Sequence, residues 1–195
     1  MTEGKSQAPD ALKGEDWAGE MGAKWLANLD RFEGMIAPIG AALIERAGFV
    51  PGERCLDIGS GGGLPGIPLA IVRSGLIVNS VETVNKKASF QQQARIELQL
   101  GNFSVINERV EKVTSDRLPG GAADGVISRA FSSLADFVNL SGHLVAAGGA
   151  LYAMKGVHPA DEITALPAGW TVTATHALRV PGLDAERNLL VISRA

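Results

Sequence analysis

A glycine-rich stretch directly after a short apolar run is the feature that most constrains the fold of this chain. Arg54–Ile58 is largely apolar, as a buried parallel strand is. The next eight residues, 59–66, contain five glycines and a proline. Glycine permits backbone conformations and close approaches that a Cβ atom forbids, and proline is tolerated in the first turn of a helix. The stretch therefore predicts a strand, a tight loop and a helix start, an arrangement that places a nucleotide-like ligand against bare backbone.

Further strands and helices alternate after this loop. The apolar runs predict strands at Arg54–Ile58, Leu76–Val81, Phe103–Ile106, Gly125–Ser128, Ala150–Met154, Thr171–Leu178 and Leu189–Ile192. The predicted helices are Ile67–Val72, Asn85–Leu100 (with Phe90, Ala94 and Leu98 at i, i+4 spacing and Gly101 just past its end), Leu134–Val145 (stopped by Gly148 and Gly149) and Pro159–Leu166.

This order of elements predicts an α/β fold. Alternation indicates a mostly parallel, Rossmann-like sheet with helices on both faces. The last two predicted strands leave no room for a crossover helix, so they form an antiparallel hairpin. A seven-stranded sheet with that ending is typical of class I S-adenosylmethionine-dependent methyltransferases.

Composition and length indicate one domain. The chain has 195 residues, is 46% hydrophobic and carries a net charge of −3 with one cysteine, Cys55. These values suit a single core in a reducing cytoplasm and exclude an internal disulfide. We expect a disordered tail at 1–15 and one methyltransferase domain at 16–195, with a helical lead-in at 16–50 that contains helices at Trp17–Asp30 and Phe32–Ala47. No signal peptide, membrane span or metal site is expected, because no apolar run is long enough and the three histidines are scattered.

The loop alone does not identify its ligand. Gly61–Gly66 satisfies G-x-G-x-x-G, which by itself suggests NAD. Asp57 stands two residues before the first glycine, where its carboxylate would repel a pyrophosphate but hold the amino group of a methionine-like moiety. Glu82 closes the next strand, where a carboxylate accepts hydrogen bonds from ribose hydroxyls. These two acids favour S-adenosylmethionine, with an NAD-binding or regulatory module as an alternative.

Several motifs carry a resemblance to a known family. Leu56–Ala70, and above all its ending Leu64–Pro68, resembles the signature of the ribosomal small-subunit RNA methyltransferase G family, also called glucose-inhibited division protein B. The resemblance continues in the same order to the C-terminus through Asn85–Lys87 with Phe90, Glu108–Glu111, Ile127–Phe131, Met154–Gly156 and Val180–Arg187.

The resemblance implies a reaction and a set of site residues. The family uses S-adenosylmethionine to methylate N7 of a guanine in 16S ribosomal RNA, so the partner would be that RNA or an assembling 30S subunit. Because N7 has a free lone pair, no general base is required, and basic side chains would act on the RNA backbone or base edge. The implied cofactor contacts, with Asp57, Gly61 and Glu82 added from the argument above, are Asp57, Gly59, Gly61, Leu64, Glu82, Val110, Glu111 and Arg129. The implied catalytic residues are Arg129 and Lys155, and the implied substrate contacts are Lys86, Arg109 and Lys155.

The N-terminal segment departs from the family pattern. The family carries an Asn-Leu-Thr element and an Arg-His…Asp-Ser element before the first strand, and neither is present here. Trp17–Trp25 and Ala37–Leu43 instead resemble the lead-in of small-molecule class I methyltransferases. A small-molecule acceptor is therefore the alternative to RNA, and we expect a monomer in either case.

Overall fold

The computed structural model describes residues 45–129, 131, 133–178 and 185–195. The strands in this part of the chain are β1 (Arg54–Ile58), β2 (Ile77–Val81), β3 (Phe103–Ile106), β4 (Ala123–Ser128), β5 (Val145–Lys155), β6 (Trp170–Ala177) and β7 (Asn188–Arg194). The α-helices are α1 (Gly66–Val72), α2 (Asn85–Glu97), α3 (Leu134–Ser141) and α4 (Ala160–Thr164). Short 3-10 turns lie at Val110–Lys112, Ser115–Arg117 and Gly142–Leu144.

The seven strands form one sheet in the order β3-β2-β1-β4-β5-β7-β6. All pairs among β1 to β5 are parallel, whereas β7 is antiparallel to both β5 and β6. The predicted fold class, including the C-terminal antiparallel hairpin, is therefore confirmed. The chain runs outward from β1 to β3 and then returns to β4 on the other side of β1. This reversal creates a crevice at the carboxyl ends of β1 and β4, where open sheets bind ligands.

Both faces of the central strands are buried. Cys55 and Ile127 pack with α1 on one face, while Leu56 and Val126 pack with α3 on the other. All four are 0% exposed. Burial on both sides explains why the central strands are nearly continuous apolar runs, and it leaves the strand ends as the place for polar chemistry.

The entry into β1 lies over the sheet. Residues 45–47 are helical, and Gly48 follows them with a φ of 65°, which confirms it as the end of the predicted second helix. Phe49 then stacks against Tyr152 with ring centroids 5.3 Å apart. A Cβ atom on Gly125 would lie 2.3 Å from the Phe49 ring, so only glycine fits there. The predicted tail at 1–15 and helix at Trp17–Asp30 lie outside the described residues.

The predicted helix after β4 is confirmed over Leu134–Ser141, but its predicted end is wrong. The predicted helix Leu134–Val145 ends at Ser141, and the two glycines expected to stop it lie inside β5. Ala123 pairs with Val145 but Gly125 pairs with Ala150, so four residues of β5 lie opposite one residue of β4. A Cβ atom on Gly149 would lie 2.7 Å from the carbonyl oxygen of Asp124. These glycines therefore permit an irregularity in the strand, and they do not cap a helix.

The predicted apolar stripe of α2 faces the core only in part. Phe90 and Leu98 are 58% and 52% exposed, whereas Ala94 packs against the core. The helix ends at Glu97, and the left-handed residue that follows is Gln99, with a φ of 53°, and not Gly101. Gln91 is 0% exposed and meets the polar backbone of the glycine loop, so a polar side chain is favoured at a buried position where periodicity alone suggests an apolar residue. No helix in the described part of the chain is long and apolar enough to cross a membrane.

Candidate functional site

A cavity of about 660 Å³ opens at the carboxyl ends of the parallel strands. Ile58, Val81 and Ser128, the last residues of β1, β2 and β4, form its floor. The Ser128 hydroxyl donates to the carbonyl of Ile58 at 3.0 Å and joins two of these strand ends. The walls come from the loops that follow the strands and contain Gly59, Thr83, Glu108, Arg109, Val110, Glu111 and Phe131. The cavity thus lies at the reversal of strand order.

The glycine loop presents bare backbone beside the cavity. Gly59 and Gly61 have φ values of 64° and 58°, a region that side chains rarely adopt. A Cβ atom on Gly59, Gly61 or Gly62 would have no neighbour within 4 Å. The space that glycine leaves there is not filled by protein, so the loop has the form of a cradle for a ligand.

Asp57 lies beneath the loop with an incomplete set of partners. Its side chain is 0% exposed, and its Oδ2 atom accepts a 2.8 Å hydrogen bond from the backbone N–H of Gly66. Its Oδ1 atom is buried and has no hydrogen-bond partner within the described part of the chain. Burial raises the pKa of this carboxyl to about 7, although the Gly66 N–H and the Arg129 charge oppose the rise.

These groups pass a test for S-adenosylmethionine. A buried carboxylate oxygen without a hydrogen-bond partner costs free energy, and the ammonium group of a methionine moiety would supply the missing donor. The open space beside the loop glycines suits a ligand held against backbone. The charge of Asp57 argues against a pyrophosphate at the same place.

Glu82, at the end of β2, holds the loop from its other side. It is 4% exposed, and its Oε2 atom accepts a 2.9 Å hydrogen bond from Gly61 N–H. Its Oε1 atom accepts a 2.8 Å hydrogen bond from Val84 N–H. Oε1 also accepts from the Thr83 hydroxyl at 3.5 Å. A carboxylate oxygen has two lone pairs, so Oε2 can still accept from a ribose hydroxyl. The predicted ribose contact is compatible with this arrangement and stays a prediction.

The turn after β3 forms a second wall. Val110 is 8% exposed and lines the cavity, as do Arg109 and Glu111. The Arg109 guanidinium lies 2.6 Å from a carboxylate oxygen of Glu111. The pKa of Glu111 is lowered mainly by a hydrogen bond from a backbone N–H and, to a smaller extent, by the hydrogen bond from Arg109. This exposed ion pair is weak, so either side chain can exchange its partner for a ligand.

The two predicted catalytic residues occupy different environments. Arg129 follows β4 and is exposed, yet close enough for its charge to lower the pKa of Asp57. The Lys155 side chain is only 13% exposed, and its Nζ atom lies 2.8 Å from Glu162 Oε2. Nζ also donates to the carbonyl of Phe131 at 3.4 Å. Lys155 thus contacts the cavity wall at Phe131, while direct contact with a substrate stays a prediction.

Only some of the predicted residues line the cavity. Gly59, Arg109, Val110 and Glu111 do so, and the side chains of Asp57 and Glu82 support the loop backbone. Five other predicted residues lie outside the lining: Gly61, Leu64, Lys86 and the two predicted catalytic residues, Arg129 and Lys155. Sequence reasoning missed Ile58, Val81, Thr83, Glu108, Ser128 and Phe131. The rule that open sheets bind ligands at their carboxyl edge could have identified the strand ends among these, Ile58, Val81 and Ser128. Phe131 could have been identified because it ends one of the motifs quoted above.

No group of three or more potential metal ligands from His, Cys, Asp or Glu occurs among the residues that the structure describes. His143 contacts the carbonyl oxygen of Val113 at 2.9 Å through Nε2. Cys55 is buried, and its burial raises the pKa of the thiol beyond the usual range. A neutral thiol in the core is a packing residue, not a nucleophile.

Solved structures with the same fold include methyltransferases. TrmN from Thermus thermophilus superposes with a TM-score of 0.66 at 19% identity and covers 81% of this chain and 49% of its own. A SAM-dependent methyltransferase from Thiobacillus denitrificans, solved with S-adenosyl-L-homocysteine, superposes with a TM-score of 0.58 at 12% identity and covers 83% and 91%. At these identities the likeness concerns the fold alone, which is the Rossmann-like fold of class I methyltransferases.

The sequence comparison assigns the family. Residues 42–191 match the model of the rRNA small subunit methyltransferase G family, GidB, and the chain belongs to that family. A member from Azoarcus sp. strain BH72 is 74% identical over 141 residues, which are 72% of this chain and 65% of the relative. Another member, from Aromatoleum aromaticum, is 60% identical over 142 residues, which are 71% of this chain and 65% of the relative. The chain thus spans about 65% of the length of these relatives. The family match begins at residue 42, within the lead-in at 16–50 whose pattern differs.

Proposed function

We propose that this chain transfers the methyl group of S-adenosylmethionine to N7 of a guanine in 16S ribosomal RNA. The observation that carries the proposal is the glycine cradle above the buried, half-partnered carboxylate of Asp57, in a chain that belongs to this family. The names of its relatives, ribosomal RNA small subunit methyltransferase G, favour RNA as the acceptor. We place the reaction in the cytoplasm and expect a monomer.

For this reaction the protein has to align guanine N7 with the methyl group and accommodate the positive charge that the guanine acquires. S-adenosylmethionine, when bound, supplies an electrophilic methyl group on its sulfonium sulfur. Guanine N7 carries a free lone pair at neutral pH, so no side chain has to remove a proton. The protein has to hold N7 within about 3–3.5 Å of the methyl carbon and in line with the breaking bond.

The described residues have separate parts in this proposal. Asp57 holds the cofactor's amino group, Glu82 accepts from its ribose, and the loop at Gly59 lies against it. Arg129 is exposed, and its charge acts on Asp57; in this proposal it contacts the RNA. Lys86 is exposed near the start of α2, from where it would contact the phosphate backbone.

A labelling experiment tests the acceptor. The chain is incubated with S-adenosylmethionine labelled in its methyl group and with 16S RNA or 30S particles, and the RNA is then digested to nucleosides. We expect label in 7-methylguanosine. Calorimetry with S-adenosylhomocysteine runs in parallel: tight binding without any label on guanine refutes the RNA assignment, and binding of NAD alone refutes the methyltransferase.

A small-molecule acceptor is the second candidate, and the pattern of Trp17–Trp25 and Ala37–Leu43 favours it. It predicts methyl transfer to a small nucleophile at a rate that added RNA does not change. Removal of residues 1–41, which lie outside the family match, separates the two candidates. Transfer to RNA should persist if the lead-in does not form the acceptor site.

A further inference from the structure

A buried polar side chain lies where α2 meets the glycine loop. Gln91 is 0% exposed, and the two serines beside it, Ser60 in the loop and Ser80 in β2, are 2% and 0% exposed. None of the three has a role in the proposed reaction. Buried polar groups are costly unless they are fully hydrogen-bonded, so the way these three are satisfied is informative.

The three side chains form a closed ring of hydrogen bonds. The Ser80 hydroxyl donates to Gln91 Oε1 at 2.6 Å, and Gln91 Nε2 donates to Ser60 Oγ at 2.8 Å. The two hydroxyl oxygens lie 2.6 Å apart. Ser80 has only one hydroxyl proton and gives it to Gln91, so Ser60 must be the donor of that third bond. Every bond of the ring then runs in the same direction, an arrangement in which hydrogen bonds strengthen one another.

The ring also holds one backbone residue of the loop. The second N–H of Gln91 Nε2 donates to the carbonyl oxygen of Gly61 at 2.8 Å. Rotation of the amide by half a turn would bring two carbonyl oxygens together, so this contact fixes the orientation of the amide. Glu82 accepts from the N–H of the same glycine. Both backbone polar groups of Gly61 are therefore held by side chains of other elements, while the side where a Cβ would stand is open.

We propose that Gln91 is a positioning residue of the cofactor loop. It does not touch the ligand; it keeps Gly61 in the left-handed conformation that the cradle needs. A loop with five glycines has many alternative conformations when free, and a ligand that must first order the loop binds more weakly. The inference rests on the proposed function, because the ligand in question is S-adenosylmethionine.

The test compares three variants by calorimetry with S-adenosylhomocysteine. Gln91→Met keeps the length of the side chain and removes its hydrogen bonds. We expect the Kd to rise by about tenfold, the effect of losing one hydrogen bond that favours the competent loop. The KM for S-adenosylmethionine should rise by a similar factor, whereas kcat at saturating cofactor and the KM for RNA stay within about twofold. Gln93→Met is the matched control, since Gln93 is exposed on α2 and, among the residues that the structure describes, its side chain bonds only to Glu97.

The triple variant Ser60→Ala, Ser80→Ala, Gln91→Met separates positioning from stability. It removes all three buried polar side chains together, so no group of the ring is left unpaired, and thermal stability should recover towards that of the wild type. The contact to Gly61 stays lost, so the Kd should stay raised. A wild-type Kd in either variant would show that Gln91 serves packing alone and would overturn the proposal. If the wild type itself does not bind S-adenosylhomocysteine, the proposed function fails, and this inference fails with it.

Discussion

We expect cofactor binding to depend on pH through the buried carboxyl of Asp57. Its pKa is raised to about 7, chiefly by burial, with Arg129 acting against the rise and Glu82 adding to it. The folded protein thus retains a proton that the unfolded chain, with its ordinary pKa of 3.8, releases. The contribution of this group to stability is accordingly most favourable below about pH 4 and is lost as the pH rises towards 7. A bound ammonium group reverses this balance, because it favours the carboxylate.

The size of the effect follows from the fraction of protein in the carboxylate form. With a pKa of about 7, that fraction is about 0.09 at about pH 6 and about 0.76 at about pH 7.5. If only the carboxylate form binds the ammonium group, the affinity for S-adenosylhomocysteine rises roughly eightfold across this interval, or about 1.2 kcal/mol. At the lower pH, binding also releases close to one proton.

Calorimetry in pairs of buffers with different ionisation enthalpies measures both quantities. Asp57→Asn is the control, because an amide oxygen can still accept from Gly66 but carries no charge. Its affinity should be lower by about tenfold at the higher pH and constant across the interval. An affinity of the wild type that does not change with pH would refute the reasoning, as would an equal slope in the control.

Three further predictions concern Gly59, Arg129 and Lys155. Gly59→Asp should abolish S-adenosylhomocysteine binding and cost about 1–2 kcal/mol of stability, because a side chain is strained at a φ of 64°. Gly48→Asp, at a similar φ outside the cavity, should cost a similar amount of stability and leave the measured Kd unchanged. Arg129→Ala should leave the melting temperature unchanged and reduce methyl transfer to RNA at least tenfold; unaltered turnover would remove this side chain from the mechanism. Lys155→Met should lower the free energy of unfolding by about 1–3 kcal/mol, because the partly buried Glu162 loses its counter-ion. In a double-mutant cycle, additivity with Glu162→Gln would show that the pair contributes nothing.

The fold could be predicted because its determinants are local. The glycine loop and the run before it set a strand, a turn and a helix start within a few residues, and β1 and β3 have the predicted bounds. The hairpin follows from the short distance between the last two strands. Where the prediction failed, at Gly148 and Gly149, the same residue type serves two purposes: glycine ends helices, and it permits close approach between strands. Only the pairing of β5 with β4 shows which of these two purposes Gly148 and Gly149 serve.

The site was predictable to the extent that it lies on the loop motif. Gly59 and Asp57 precede or form that motif, so the sequence identified them, together with Glu82 at the next strand end. The contact partners of long side chains could not be predicted from the sequence in the same way. Lys155 was assigned to the substrate because it is basic and belongs to a family motif, yet it forms an ion pair with Glu162.

The sequence by itself determined the order of elements, the place of the cofactor loop and the family, since each depends on residue types that are close together in the chain. The tertiary structure alone decided which of these residues touch. It directs Gln91 inward to Ser60 and Ser80, 31 and 11 residues away, and leaves Phe90 outside. Helical periodicity favours an apolar inward face, and Ala94 of this helix does pack against the apolar core, but the neighbour of Gln91 is a polar loop of bare peptide groups. Hydrogen bonding to that loop, and not hydrophobicity, therefore selects the buried residue.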